Sequence, residues 1–102
     1  MSDVTEKLVR DGIPKIIEES GKPPNVRVAD ESEMPSLLKR KLVEEVGELL
    51  NAKTEGEMLE EAADVYEVLI SMFSGEAIRQ AANAKRRDRG SFRVGYVLRM
   101  EE

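Results

Sequence analysis

Glu44, Glu45 and Glu48 stand on one predicted helix, and Glu60, Glu61 and Asp64 stand on the next. Carboxylates in these numbers can do one kind of chemistry well: gather a hard, oxygen-loving cation and present it to a phosphate. The chain has no His and no Cys, which removes the commonest general base, thiolate nucleophiles, disulfides and Cys-ligated zinc. Any catalysis must therefore use carboxylates, Lys, Arg, hydroxyls and a metal such as Mg2+, with Mn2+ the alternative.

The acids are not on an ordinary solvated face. Leu38, Leu42 and Leu49 define an apolar stripe that includes position 45, so Glu45 falls inside it and Glu48 follows on the same edge. On the following helix Met58, Val65 and Val68 flank Glu61, with Asp64 one turn on. Thr54 to Gly56 reads as the break between the two helices. Glu48 and Glu61 are equidistant from the point between Thr54 and Glu55, and so are Glu45 and Asp64. At a rise of about 1.5 Å per residue, antiparallel packing would set both pairs at matching levels, across a gap of roughly 8–10 Å. Four clustered carboxylates repel, so something positive must offset them. Lys39, Arg40 and Lys41 could do so at helical spacing; a divalent ion bound by Glu45, Glu48, Glu61 and Asp64 fits the geometry and the absence of His. The plainer reading is that Glu is a good helix former in an acid-rich chain.

The elements that must position these acids follow from the punctuation. The 102 residues are 40% apolar and 36% charged, enough for a single globular domain spanning 1–102. Asp11 is a candidate cap for a short helix with Pro14 in its first turn, a buried stripe of Ile13, Ile16 and Ile17, and Gly21 as its stop. Asp30 to Pro35, with Ser32, starts the first long helix, which runs to about Ala52. The next spans about Glu57 to Phe73, with Tyr66 and Phe73 expected in the core. Ser74 caps a last helix over about Glu76 to Arg87, ended by Gly90. Phe92, Val94, Tyr96, Leu98 and Met100 alternate with other residues, a period-two pattern that predicts a C-terminal β-strand, which could pair with a short strand at Val26–Val28. The expected fold is thus mainly α, an antiparallel helix bundle with a short C-terminal strand.

A net charge of −5 argues against nucleic acid or an anionic membrane as partner. No apolar run approaches the roughly 20 residues of a membrane span, and MSDVTEKLVR lacks an apolar signal region, so a cytoplasmic location is expected.

The acid pattern, E44-E-V-G-E48 followed by E61-A-A-D64, resembles the EExxE…ExxD signature of the MazG-like, all-α nucleoside triphosphate pyrophosphohydrolase superfamily. Lys7 to Ile17 (KLVRDGIPKII) and Lys85 to Leu98 (with KRRDRGSF) look like the opening and closing stretches of a small single-domain subfamily related to MazG and to phosphoribosyl-ATP pyrophosphatase. Nearly the whole chain is covered. Gly12 and Ser91 depart from the pattern, where Lys and Gly are usual. The resemblance implies a Mg2+-dependent hydrolase that cleaves a nucleoside triphosphate, or a related phosphorylated nucleotide, between the α and β phosphates to give a monophosphate and pyrophosphate. It implies that Glu45, Glu48, Glu61 and Asp64 hold the metal, and that Glu44 orients or deprotonates water. Lys85 and Arg89, with Lys7 and Arg10, would contact phosphate. A homodimer or homotetramer is implied as well, in keeping with three helices too few to bury their apolar residues and wall a nucleotide pocket alone. The competing readings are a non-catalytic helical interaction module whose acidic face binds a basic partner, and a metal-binding structural bundle without activity.

Overall fold

The computed structural model describes residues 5–101, so Met1 to Val4 and Glu102 lie outside the described residues. The fold is all-α, with helices α1 (Ile13–Glu19), α2 (Met34–Asn51), α3 (Glu55–Met72) and α4 (Gly75–Arg89). No helix is long and apolar enough to cross a membrane among the described residues. The chain divides into two compact units, Met1–Met72 and Phe73–Glu102.

In the first unit α2 and α3 pack against each other as a hairpin, joined by only Ala52 to Thr54. The connection is short because both sides of it are chemically closed. Thr54 Oγ1 accepts the Glu57 N–H at 3.1 Å, and the Glu57 carboxylate reaches back to accept the Lys53 N–H at 3.0 Å. This reciprocal arrangement is a capping box displaced by one residue. It starts α3 at Glu55 and absorbs Gly56 into the first turn, so Gly56 is not the break that its type suggests. Glu55 and Glu57 in that turn also complement the helix dipole. On the α2 side, Asn51 Nδ2 donates to the Gly47 carbonyl at 3.0 Å.

The expected starts of α1 and α2 are met by different groups. Neither Asp11 nor Ser32 caps: Gly12 and Glu33 occupy the cap positions without a side-chain cap bond, and a proline lies in each first turn. Glu33 instead turns its carboxylate to the Asp30 N–H at 2.8 Å and to Arg27. Gly21, at φ 95°, closes α1 in a conformation that only glycine adopts freely.

The packed interior is small. Leu38 at 8% exposure and Val68 at 6% are the buried apolar residues among those described, joined by Glu45 at 6%. Tyr66 and Phe73, expected inside, are exposed, as is Ile16 of the predicted α1 stripe. Val43 and Leu50 on α2, and Leu59 and Tyr66 on α3, are also exposed; each pair is seven residues apart, two turns along one face.

In the second unit Ser74 caps α4 as expected, its Oγ accepting the Ala77 N–H at 3.0 Å. Arg86, Arg87 and Arg89 lie in the last turn, where cations complement the dipole. Gly90, at φ 80°, ends the helix and its N–H donates to the Arg86 carbonyl at 2.8 Å. The predicted C-terminal strand is not formed: residues 91–101 carry no strand, and Phe92, Val94, Tyr96 and Leu98 are exposed. Val26–Val28 forms none either. Alternation describes a surface ready to pair, but a strand exists only with a ladder partner, and two strands alone are marginal in water.

Candidate metal centre on the helix hairpin

The hairpin brings Glu45, Glu61 and Asp64 together, one carboxylate oxygen from each lying within 4.8 Å of the others. The register explains which acids meet. With α2 ending at Asn51 and α3 starting at Glu55, the midpoint of the hairpin is Lys53. Glu45 and Glu61 each lie eight residues from it and are therefore level. Asp64, one turn beyond Glu61, shares its face. Glu48 lies only five residues before Lys53, level with Met58, and its side chain is exposed outside the group. The expected pairing of Glu48 with Glu61 thus gives way to a pairing of Glu45 with Glu61. Glu60 is exposed.

Positive charge reaches the acids from two directions. The Arg10 guanidinium donates to Asp64 Oδ1 at 2.5 Å. Lys41 Nζ lies 3.3 Å from Glu45 Oε1 and 3.1 Å from Glu44 Oε2. Burial pulls the Lys41 ammonium down, yet its bonds to Glu44 and Glu45 outweigh this and hold it above the ordinary lysine value. Burial pushes the Glu45 carboxyl up and the neighbouring Glu48 adds to that, against the pull of Lys41. Even so, Glu45 Oε2 and Glu61 Oε2 are buried without any hydrogen-bond partner. Orphaned carboxylate oxygens are costly, and two of them in one group of three acids are a cation-shaped deficit.

Glu44 stands apart. It takes Lys41 and also Lys7, whose Nζ lies 3.3 Å from Oε1. Lys41 first and then Lys7 keep its carboxyl below the usual range. Glu44 and Lys7 line a hollow of about 240 Å³ together with Leu8, Leu37 and Arg40, whereas Glu45 and Asp64 line a different one.

That second cavity, of about 360 Å³, is the larger feature. Its apolar wall is Leu8, Val9, Met34, Leu38 and Val68; Arg10 and Lys41 supply cations, and Glu45, Asp64 and Glu67 acids. Asp11 and Ser71 complete the lining, so an apolar wall stands beside a strongly charged one, and small-molecule sites combine apolar surface with convergent polar groups. Glu67 and Met34 carry no sequence signal as lining residues, and no spacing rule could join Arg10 to Asp64, which are 54 positions apart.

Of the remaining predicted contacts, Lys7 and Arg10 are engaged by Glu44 and Asp64 respectively. Lys85 and Arg89 are exposed on α4, one turn apart, in the second unit.

An all-oxygen donor set suits a hard divalent ion. Oxygens in an octahedral Mg2+ shell are about 3 Å apart, so small side-chain adjustments would close this group around one. Comparison of the chain with family models, with curated proteins and with solved structures gives no match.

Proposed function

We propose that the protein is a Mg2+-dependent nucleoside triphosphate pyrophosphohydrolase, cleaving between the α and β phosphates. The observation that carries this reading is the convergence of Glu45, Glu61 and Asp64, with two buried oxygens lacking partners, beside a cavity of about 360 Å³ that has an apolar wall and two cations. The pattern of the same acids resembles that of the MazG-like superfamily, which points to the same reading.

In this reading Glu45, Glu61 and Asp64 hold the ion; when bound, it supplies charge stabilisation at phosphate oxygens and eases ionisation of water. Leu8, Val9, Met34, Leu38 and Val68 receive the less polar part of the ligand and exclude solvent from it. Lys41 supplies counter-charge to Glu45 beside the reacting phosphate. Glu44, held low by two lysines, is a weak base, and its role is to orient a water through a hydrogen bond rather than to keep its proton. Lys85 and Arg89 are assigned to phosphate contact on the resemblance alone.

The exposed pairs Val43/Leu50 and Leu59/Tyr66, and a core of few buried residues, support a homodimer or homotetramer. Sedimentation should give a mass above the monomer's, and Leu50→Glu should lower it.

The test of function is release of pyrophosphate from a panel of canonical, deoxy and damaged nucleoside triphosphates with Mg2+ or Mn2+. Activity should vanish in Asp64→Asn while the circular dichroism stays helical. No pyrophosphate from any nucleotide, together with binding of a basic peptide, would favour the interaction module; metal binding without turnover would favour a structural metal site.

A further inference from the structure

We infer that Arg10 is an exchangeable counterion: it occupies Asp64 while the divalent ion is absent, and passes to the anionic group of the ligand when the ion enters. This rests on reading Glu45, Glu61 and Asp64 as a divalent-cation site.

Asp64 is the one acid of the three that a side chain from the N-terminal segment neutralises, through Arg10 at 2.5 Å. Two oxygens nearby, Glu45 Oε2 and Glu61 Oε2, are buried and unpartnered, so beyond Arg10 on Asp64 and Lys41 on Glu45 the site has room for more positive charge. An ion held by Asp64 would stand within a few ångströms of the guanidinium, and like charges at that distance repel. That repulsion favours release of Arg10 from Asp64. Its backbone is tied to the start of α1, because the Arg10 carbonyl accepts the Ile13 N–H at 3.0 Å in the turn that leads into the helix. A released side chain is therefore still tethered beside the cavity that it lines with Asp64. Asp11 and Glu67 also line that cavity, but the phosphate of a ligand, with more charge and several oxygens, is the stronger bidentate partner for a guanidinium. Lys41 is different: it is largely enclosed and held by two carboxylates, so it remains in place.

The consequence is thermodynamic coupling. Binding of the ion and binding of the anion should each favour the other, and linkage makes the coupling reciprocal. It also leaves the ligand-free protein with a partly neutralised site, without the full repulsion among its acids.

Two measurements test the exchange without relying on turnover. The first is calorimetry with Mn2+ alone. Arg10→Met, having no competing cation, should bind Mn2+ tighter than wild type by about three- to tenfold, while Arg10→Lys should stay near wild type. At saturating Mn2+, an α,β-methylene nucleotide should bind Arg10→Met about tenfold more weakly. The second uses the unaltered protein. Phenylglyoxal modification of Arg10, followed by peptide mass spectrometry, should accelerate on addition of Mn2+ while that of Arg27 does not change. Weaker or unchanged Mn2+ binding by Arg10→Met, or an unchanged modification rate in protein shown calorimetrically to hold Mn2+, overturns the exchange alone. If wild type binds no Mn2+, or binds it equally after Glu61→Gln and Asp64→Asn, the cation site itself is wrong and the exchange falls with it.

Discussion

Lys41 Nζ lies 3.3 Å from Glu45 Oε1, one helical turn away, and the same ammonium serves Glu44 at 3.1 Å. One cation is thus divided between an acid of the candidate centre and an acid outside it. Lys41→Met should cost about 1–3 kcal/mol of stability, because it leaves the buried Glu45 carboxylate without a partner. Urea unfolding measures this. Added Mg2+ should recover more stability in the variant than in wild type, since the ion would then be the main counter-charge to Glu45.

Glu61→Gln and Glu48→Gln should behave differently, although both acids belong to the same sequence pattern. Glu61 is level with Glu45 and inside the group, whereas Glu48 is exposed outside it. Loss of Glu61 should weaken Mn2+ binding about a hundredfold or more, at or beyond the upper end of what outer-shell partners typically cost. Loss of Glu48 should change it less than about fivefold, the scale of an exposed charge. Calorimetry on the two variants decides the matter.

Thr54→Ala should destabilise the protein by about 1 kcal/mol, the usual loss for a helix cap. It removes the acceptor for the Glu57 N–H and frees the Glu57 side chain that ties down Lys53. Because this cap sets where α3 begins, Mn2+ affinity should fall as well. Thermal melting and a metal titration on the same sample separate the two effects.

Arg27 donates to Glu33 at 2.8 and 3.0 Å and to Glu6 at 3.0 and 3.1 Å. The Arg27 hydrogen bond first, and the Asp30 N–H second, bring the Glu33 carboxyl from its ordinary 4.5 down to about 2. Arg27 also lowers that of Glu6. A carboxylate depressed by folding stabilises the fold above its unfolded value, and that stabilisation is lost as pH falls toward the folded value. Wild type should therefore lose melting temperature between about pH 4.5 and 2. Arg27→Met should melt lower than wild type at pH 7, with the gap narrowing through the same window. The clasp is exposed, so added salt should narrow the gap too.

The helical fold, the cap at Ser74, the stop at Gly90 and the inward position of Glu45 could all be read from residue types and spacing, because each depends on neighbours within a turn or two. The choice between Glu48 and Glu61 as partners could not. It turned on whether Gly56 breaks a helix or sits inside its first turn, and the Thr54–Glu57 bonds decide that. A shift of the midpoint from between Thr54 and Glu55 to Lys53 is enough to change which acids are level. The ion pairs of Arg10 with Asp64 and of Arg27 with Glu6 join segments far apart in the chain, and no periodicity encodes them. The C-terminal alternation was legible as a pattern but carries no information on whether a partner strand is present.

The three-residue link Ala52–Thr54 acts as a gauge for the whole centre. Lengthened by several residues, it would no longer hold α3 in one register on α2, and Glu61 and Asp64 would be free to slide from the level of Glu45. Every acid would survive and the constellation would not. The grouping of these acids depends as much on the length of a loop that carries none of them as on the carboxylates themselves.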